Sequence, residues 1–301
     1  MKILYLSSVT SDKYFSELFT QGKTFDYVGQ KYHSMFIKGL ENHFDDQDIT
    51  VLCQPPTTRL SLKISEKQNR VNFRYVPILP IPVIKQLLAF LYSFFYALWW
   101  CIKNIREQKV VICSIMRIYQ FVPILFLSYI FRCKKVTIAC DIPWLTMTQV
   151  KQTKPSYKQR IVMWLSRNLA SAFDAYVFLT ESMNEILNPN KRPYIVIEGF
   201  CDVNMQNRTN TVDEKYNKNV IIYAGGLNIK YGIGNLVEAV NNISDYEVEL
   251  WLYGKGDITK HLVSNEKIKL IGPRSNEEVV DSEIKARLLV NPRPSDGEYT
   301  R

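Results

Sequence analysis

Val220-Ile221-Ile222-Tyr223-Ala224-Gly225-Gly226-Leu227-Asn228-Ile229-Lys230-Tyr231-Gly232-Ile233-Gly234-Asn235-Leu236-Val237-Glu238-Ala239-Val240 is the stretch on which the fold reading turns. Val220–Ala224 is a short apolar run closed by a glycine pair, the pattern of a strand buried on both faces. From Gly232 to Ile243 the apolar residues recur at helical spacing, so an amphipathic helix follows. Glycines let backbone approach a phosphate, a helix amino terminus carries partial positive charge, and Lys230 supplies a cation. These are the parts of a diphosphate cradle. The dinucleotide fingerprint is not met, because Gly232-Ile233-Gly234 is followed by Asn235, Leu236 and Val237. A glycine-bearing strand-to-helix turn also occurs with no ligand, and the residues alone leave both readings open.

Downstream the alternation continues. Val248–Tyr253, Ile268–Ile271 and Arg287–Val290 read as strands, with a short helix before each of the last two. Four strands are visible where a doubly wound dinucleotide-type sheet commonly has six. Asn219 to Arg301 is only 83 residues, against roughly 150 for an ordinary domain. The expectation is a domain left incomplete at Arg301.

Upstream, Asp202–Asn219 is rich in Asn, Thr and Asp without apolar periodicity and reads as a linker, residues 202–219. Before it, Lys2–Ser8, Ile49–Cys53, Val71–Val76, Val110–Ile115, Val136–Ala139, Ala175–Leu179 and Tyr194–Ile197 read as strands. Tyr32–Phe44 reads as a helix. A parallel sheet with helices on both faces is expected over residues 1–201, and a second, partial one over 220–301.

Leu87–Ile102 is interrupted by one hydroxyl, Ser93, and holds seven aromatic residues. Lys85 precedes it, and Lys103 and Arg106 follow. A core helix, a helix lying in the plane of a membrane surface and a spanning helix all fit a run of that length. Tyr and Trp favour an interface, which makes residues 83–106 a candidate docking segment. A second apolar run, Phe121–Phe131, ends in Arg132, Lys134 and Lys135, which suit acidic headgroups.

The charge is uneven. Residues 1–199 carry 25 Lys+Arg against 14 Asp+Glu, and residues 200–301 carry 13 against 15. A basic first part attracts acidic membranes, phosphorylated substrates or nucleic acid. Nucleic acid is disfavoured, since no aromatic-basic run, helix-turn-helix or zinc finger accompanies the charge. The six cysteines stand singly with no CxxC, and the three histidines have no partner at metal-ligand spacing. Reduced thiols, a cytoplasmic setting and no metal are expected.

Family resemblance adds to this. The Val220–Val240 stretch is similar to the opening of the donor domain in the GT-4 group (glycosyl transferases group 1) of retaining glycosyltransferases. Leu250-Trp251-Leu252-Tyr253-Gly254-Lys255-Gly256-Asp257 resembles that family's strand ending in G-x-G, and Ile268–Gly272 its next strand and glycine. Arg287–Pro292 resembles the strand before its acidic motif. Residues 1–200 match more loosely, through Leu4–Ser8, Gln30-Lys31-Tyr32, Ala139–Trp144, Phe178–Glu181 and Ile197–Asp202. The resemblance implies a GT-B fold: two doubly wound Rossmann-like α/β domains facing a cleft, the second incomplete. It implies a retaining, hexosyltransferase-like enzyme with no cofactor beyond its nucleotide-diphosphate-sugar co-substrate. Gly225, Gly226, Lys230, Tyr231, Gly254, Gly256 and Gly272 become donor-binding candidates, and Gln30 and Lys31 acceptor-side candidates.

The departures are specific. Gly226 and Tyr231 stand where many members carry Arg and Lys, so Lys230 becomes the candidate substitute. Cys140 stands in the place of a histidine, leaving Asp141 as the catalytic candidate at the end of a buried strand, with loop stabilisation as the other reading. The leaving diphosphate can take the acceptor proton in such enzymes, so no strong protein base is required. Glu298 reads either as part of the acidic motif or as a loop carboxylate. The acceptor implied is lipid-linked or an oligosaccharide, in bacterial surface polysaccharide synthesis at the inner membrane face. The alternative is a truncated, inactive remnant that binds a membrane or a protein.

Overall fold

Ile3, Leu4, Tyr5 and Leu6 are each at most 2% exposed, which makes β1 (Lys2–Ser7) the centre of a sheet covered on both faces. In the computed structural model, which describes residues 1–24, 27–44, 48–115, 117–144, 156–200, 215–244, 246–256 and 266–293, backbone contacts divide the chain into two units, Met1–Asp202 and Val203–Arg301.

In the first unit β1 pairs in parallel with β2 (Asp48–Cys53) and β5 (Lys109–Ser114). With β3 (Ser65–Gln68), β4 (Val71–Tyr75), β6 (Lys134–Ala139), β7 (Ala175–Phe178) and β8 (Tyr194–Val196) the order is β3-β4-β2-β1-β5-β6-β7-β8. Only β3 runs antiparallel among these strands. It is a polar edge strand, Ser-Glu-Lys-Gln, turned onto β4 through Asn69 in left-handed backbone. Its lack of an apolar pattern hid it in the sequence.

Alternate residues of β1 feed two cores. Ile3 and Tyr5 meet Tyr14 and Leu18 of α1 (Asp12–Thr20) and Ile37 of α2 (Tyr27–His43). Leu4 and Leu6 meet α3 (Pro82–Lys103) and α4 (Ile118–Ile130) on the other face. The sheet is therefore doubly wound. Helix α1, which the sequence reading did not include, buries Tyr14, Phe15 and Leu18. Helix α5 (Tyr157–Leu169) opens on a Ser156 capping box, and α6 (Ser182–Leu187) follows β7.

Helix α3 is buried along one face only. It is long and apolar enough to cross a membrane, yet Ala89, Ser93, Ala97, Trp100 and Cys101 bury one face in the core. The small residues at fourfold spacing let α4 pack closely. The other face, with Leu87, Leu91, Phe95, Trp99 and Ile102, is exposed. Five described cysteines are free thiols; Cys201 lies outside the described residues, as do His261 and Glu298.

The second unit holds β9 (Asn219–Ala224), α7 (Ile233–Asn241), β10 (Val248–Tyr253), β11 (Ile268–Gly272), α8 (Asn276–Lys285) and β12 (Leu288–Leu289). The described strands are parallel in the order β11-β10-β9-β12. Of the stretch read as linker, 202–214 lies outside the described residues. Lys215 and Tyr216 belong to this unit: the Lys215 amine donates to the carbonyls of Ile284 at 2.8 Å and Ala286 at 3.0 Å, and the Tyr216 N–H to Lys285 at 2.9 Å. Polar anchoring of that kind leaves no apolar periodicity.

Candidate functional site

In an open parallel α/β sheet, ligands meet the loops beyond the carboxyl ends of the strands. In the second unit that edge is formed by Gly225–Leu227 after β9, Gly254–Gly256 after β10, Gly272 at the end of β11 and Asn291–Arg293 after β12. Backbone hydrogen bonds brace them to one another. The Gly225 N–H donates to Tyr253 O at 3.0 Å, Leu227 N–H to Lys255 O at 3.2 Å, and Gly254 N–H to Gly272 O at 3.1 Å.

This bracing gives several glycines a structural reason. A Cβ at Gly254 would lie 1.9 Å from the Gly225 carbonyl oxygen, and one at Gly256 would lie 2.0 Å from that of Leu227. Gly254 also has φ +126°, and Gly272 φ +78°, backbone that favours glycine. At Gly226 a Cβ would come within 2.9 Å of the Tyr231 ring. Tyr231 thus packs on the glycine pair from a short 3-10 turn, Ile229–Tyr231, that leads through Gly232 into α7.

Two cations converge on that tyrosine. The Lys230 amine is 5.0 Å from the ring centroid and the Arg293 guanidinium carbon 5.1 Å. Arg293 was missed as a site residue, because sixty-odd residues separate it from the glycine loop and only the β9–β12 pairing brings them together. The strongly perturbed carboxylate of this unit, Glu249, does other work. Lys269, Lys218 and the Trp251 indole hold it down to about 2, and it sits near the amino end of β10, at the opposite edge of the sheet.

In the first unit Asp141 follows β6 at the same kind of strand end. Its residue surface is open, yet enough of its surroundings exclude water to raise its carboxyl above the ordinary range. Cys140 beside it is pushed up to about 12 by burial and by the Asp141 charge. Behind them, Tyr5 and Nδ1 of His33 share a 2.5 Å hydrogen bond. Burial, with Arg117 nearby, lowers His33 to about 4. The buried Tyr32 hydroxyl lies against the Cys140 thiol.

Gln30, an acceptor-side candidate by resemblance, is tied to the Thr10 backbone. Its Oε1 accepts from the Thr10 N–H at 3.0 Å and its Nε2 donates to the Thr10 carbonyl at 2.8 Å. Both ends of the amide are engaged in fixing the loop between β1 and α1. Lys31 follows it on α2, half-buried.

A cleft of about 590 Å³ also opens at the carboxyl edge of the first sheet, lined by Gln54, Lys85, Gln86, Arg117 and Gln159 with apolar walls. Nothing in the sequence pointed to it, since its polar groups come from four separate segments. Among the described residues no group of three or more His, Cys, Asp or Glu is placed to hold a metal ion.

No family model matches the chain, and no curated protein matches it in sequence. Solved structures do. Sucrose-phosphate synthase from Thermosynechococcus elongatus superposes with a TM-score of 0.63 at 11% identity, over 97% of this chain and 75% of its own. The fold is GT-B. The apo lipopolysaccharide outer core galactosyltransferase WaaB gives a TM-score of 0.52 at 12% identity, over 95% of this chain and 72% of its own. A trehalose-6-phosphate synthase, studied for glycosyl transfer with retention, gives 0.54 at 8% identity, over 96% and 77%. At these identities the likeness concerns the fold, with its Rossmann-like α/β units.

Proposed function

We propose that this GT-B chain is a nucleotide-sugar-dependent glycosyltransferase, retaining and of the GT-4 type, that transfers a hexose to a membrane-associated acceptor. The observation carrying the proposal is the braced glycine edge of the second unit, with Tyr231 on Gly226 and the Lys230 and Arg293 cations on Tyr231. The donor diphosphate lies against Gly225 and Gly226 and the amino terminus of α7, with Gly254, Gly256 and Gly272 holding the neighbouring loops in shape. Lys230 and Arg293 neutralise the diphosphate. Two similar solved structures, a galactosyltransferase and a trehalose-6-phosphate synthase studied for glycosyl transfer with retention, support this reading.

The bond from the anomeric carbon to the diphosphate oxygen breaks as the bond to the acceptor oxygen forms, and the acceptor proton passes to the departing diphosphate. Stabilising negative charge on that leaving group is then the protein's main contribution. Asp141 orients the acceptor hydroxyl or the donor sugar. The exposed apolar face of α3 rests in the plane of an acidic membrane, with Lys103, Arg106 and Arg132 toward the headgroups. On this reading the enzyme works on the inner face of the cell membrane, in bacterial surface polysaccharide synthesis.

Titration of the chain with UDP, GDP and ADP by calorimetry tests the donor site. One nucleotide should bind, and Lys230→Ala and Arg293→Ala should each weaken it about tenfold, the cost of one charge-assisted contact. Binding that neither variant changes rejects the cation assignment. No binding by any of the three rejects the donor site.

A further inference from the structure

Helix α5 is apolar on two opposite faces. Val162, Leu165 and Leu169 pack against the core that also holds α3 and α4, and Ser166 is buried. Tyr157, Ile161 and Trp164, at spacings of four and three, share the outer face, where they are 78%, 42% and 65% exposed. Arg160 and Arg167 are exposed beside that row, the second with its guanidinium carbon 5.4 Å from the Trp144 ring. A helix that only covered the sheet would present polar side chains there.

The neighbours of α5 repeat the pattern. Helices α3, α4 and α5 cover one face of the sheet around a shared core, as right-handed crossovers advancing in one direction along the strand order require. On α4, Phe126, Tyr129 and Ile130 are each more than half exposed. None of the three helices contains an Asp or Glu. The helices of the opposite face do: α1 carries Asp12 and Glu17, and α2 carries Glu41. Among the described residues, Val28 is the one large apolar side chain that α1 and α2 expose. Short α6, at the sheet edge beside β8, carries Glu185.

We infer that α5 is a second membrane-inserting element, with Tyr157, Ile161 and Trp164 seated at the headgroup level of an acidic bilayer and Arg160 and Arg167 meeting the lipid phosphates. The inference rests on the membrane reading of α3 for the orientation of the unit, and is independent of glycosyl transfer. Rings with one polar edge suit that depth, and the guanidinium groups beside them reach the phosphates. Three helices without a carboxylate complement an extended anionic surface, whereas a second copy of the same basic face would repel them. With α3 and α5 both seated, the sheet lies parallel to the bilayer and the unit cannot roll about the α3 axis.

Co-sedimentation of the full chain with phosphatidylglycerol vesicles tests this. Tyr157→Asp with Trp164→Asp should weaken binding about tenfold or more while α3 is untouched. Arg160→Gln should weaken it about fivefold at low salt. Trp164→Phe keeps the face apolar and should bind like the parent, but on brominated phosphatidylglycerol a smaller fraction of its tryptophan emission should be quenched. A quenched fraction equal to or above the parent's overturns the insertion of α5, and this readout decides alone if the double aspartate variant unfolds early. Phe95→Asp with Trp99→Asp is run alongside. Loss of binding in that variant only keeps the α3 reading and overturns this inference. Loss in the α5 variant only upholds α5 and removes α3. A lipid-free dimer that Tyr157→Asp with Trp164→Asp separates, seen by sedimentation equilibrium, overturns the bilayer as the occupant.

Discussion

The carbonyl oxygen of Gly225 occupies the space that any side chain at Gly254 would need, 1.9 Å from the position of a Cβ. Two loops from neighbouring strands thus touch backbone to backbone. Gly254→Ala should destabilise the second unit by about 3 kcal/mol or more, because backbone must move and the residue also sits at positive φ. Gly272→Ala, at φ +78° with no atom within 4 Å of a Cβ, should cost only the conformational strain, about 1 kcal/mol. Urea unfolding of the two variants gives the comparison, and equal losses would reject the loop contact as the cause.

His33 makes the first unit sensitive to acid. Burial, then the Arg117 charge, lowers it from 6.5 to about 4 in the folded state. Between those values the unfolded chain binds the extra proton, so stability is full above pH 6.5 and falls as pH drops toward 4. The loss is roughly 3 kcal/mol from this group, at about 1.4 kcal/mol per unit. Thermal unfolding from pH 7 to 4 should show the slope, and His33→Gln should flatten it.

Asp141 carries a desolvation cost that a neutral residue would not. Asp141→Asn should therefore leave stability at pH 7 unchanged or slightly higher, while lowering kcat by about a hundredfold if the carboxylate orients a reacting group. A variant that unfolds earlier but turns over normally would make Asp141 a loop residue.

The exposed face of α3 predicts membrane behaviour that depends on both charge and apolar area. The chain should sediment with liposomes rich in acidic lipid and much less with neutral ones, and binding should weaken as salt rises. Phe95→Asp with Trp99→Asp, both exposed and outside the core, should abolish sedimentation without lowering the unfolding temperature. Full sedimentation of that double variant would rule out the face.

Most strands were legible because each is a run of apolar residues whose burial depends on the run itself. Lys2–Ser7, Asp48–Cys53 and Val248–Tyr253 need no distant partner to announce them. Strand β3 was not legible, since Ser65–Gln68 is held at a sheet edge by pairing with β4 rather than by burial. The glycines at 225, 226, 254, 256 and 272 were legible as a set, but their neighbours were not. The partner of Gln30 was hidden in the same way: the Thr10 backbone, twenty positions earlier, takes both ends of its amide.

The sequence by itself determined two α/β units, because alternation of apolar strands and amphipathic helices is a local property that burial enforces wherever the chain goes. It also located the aromatic segment whose outer face remains exposed. Only the tertiary structure decided which side chains meet. Arg293 joins Lys230 on Tyr231 because β12 pairs with β9. Lys85 and Arg117 share one cleft because α3 and α4 both begin at the carboxyl edge of the same sheet. Such meetings depend on strand order and helix placement, which arise from packing across the whole unit and leave no trace in residue spacing.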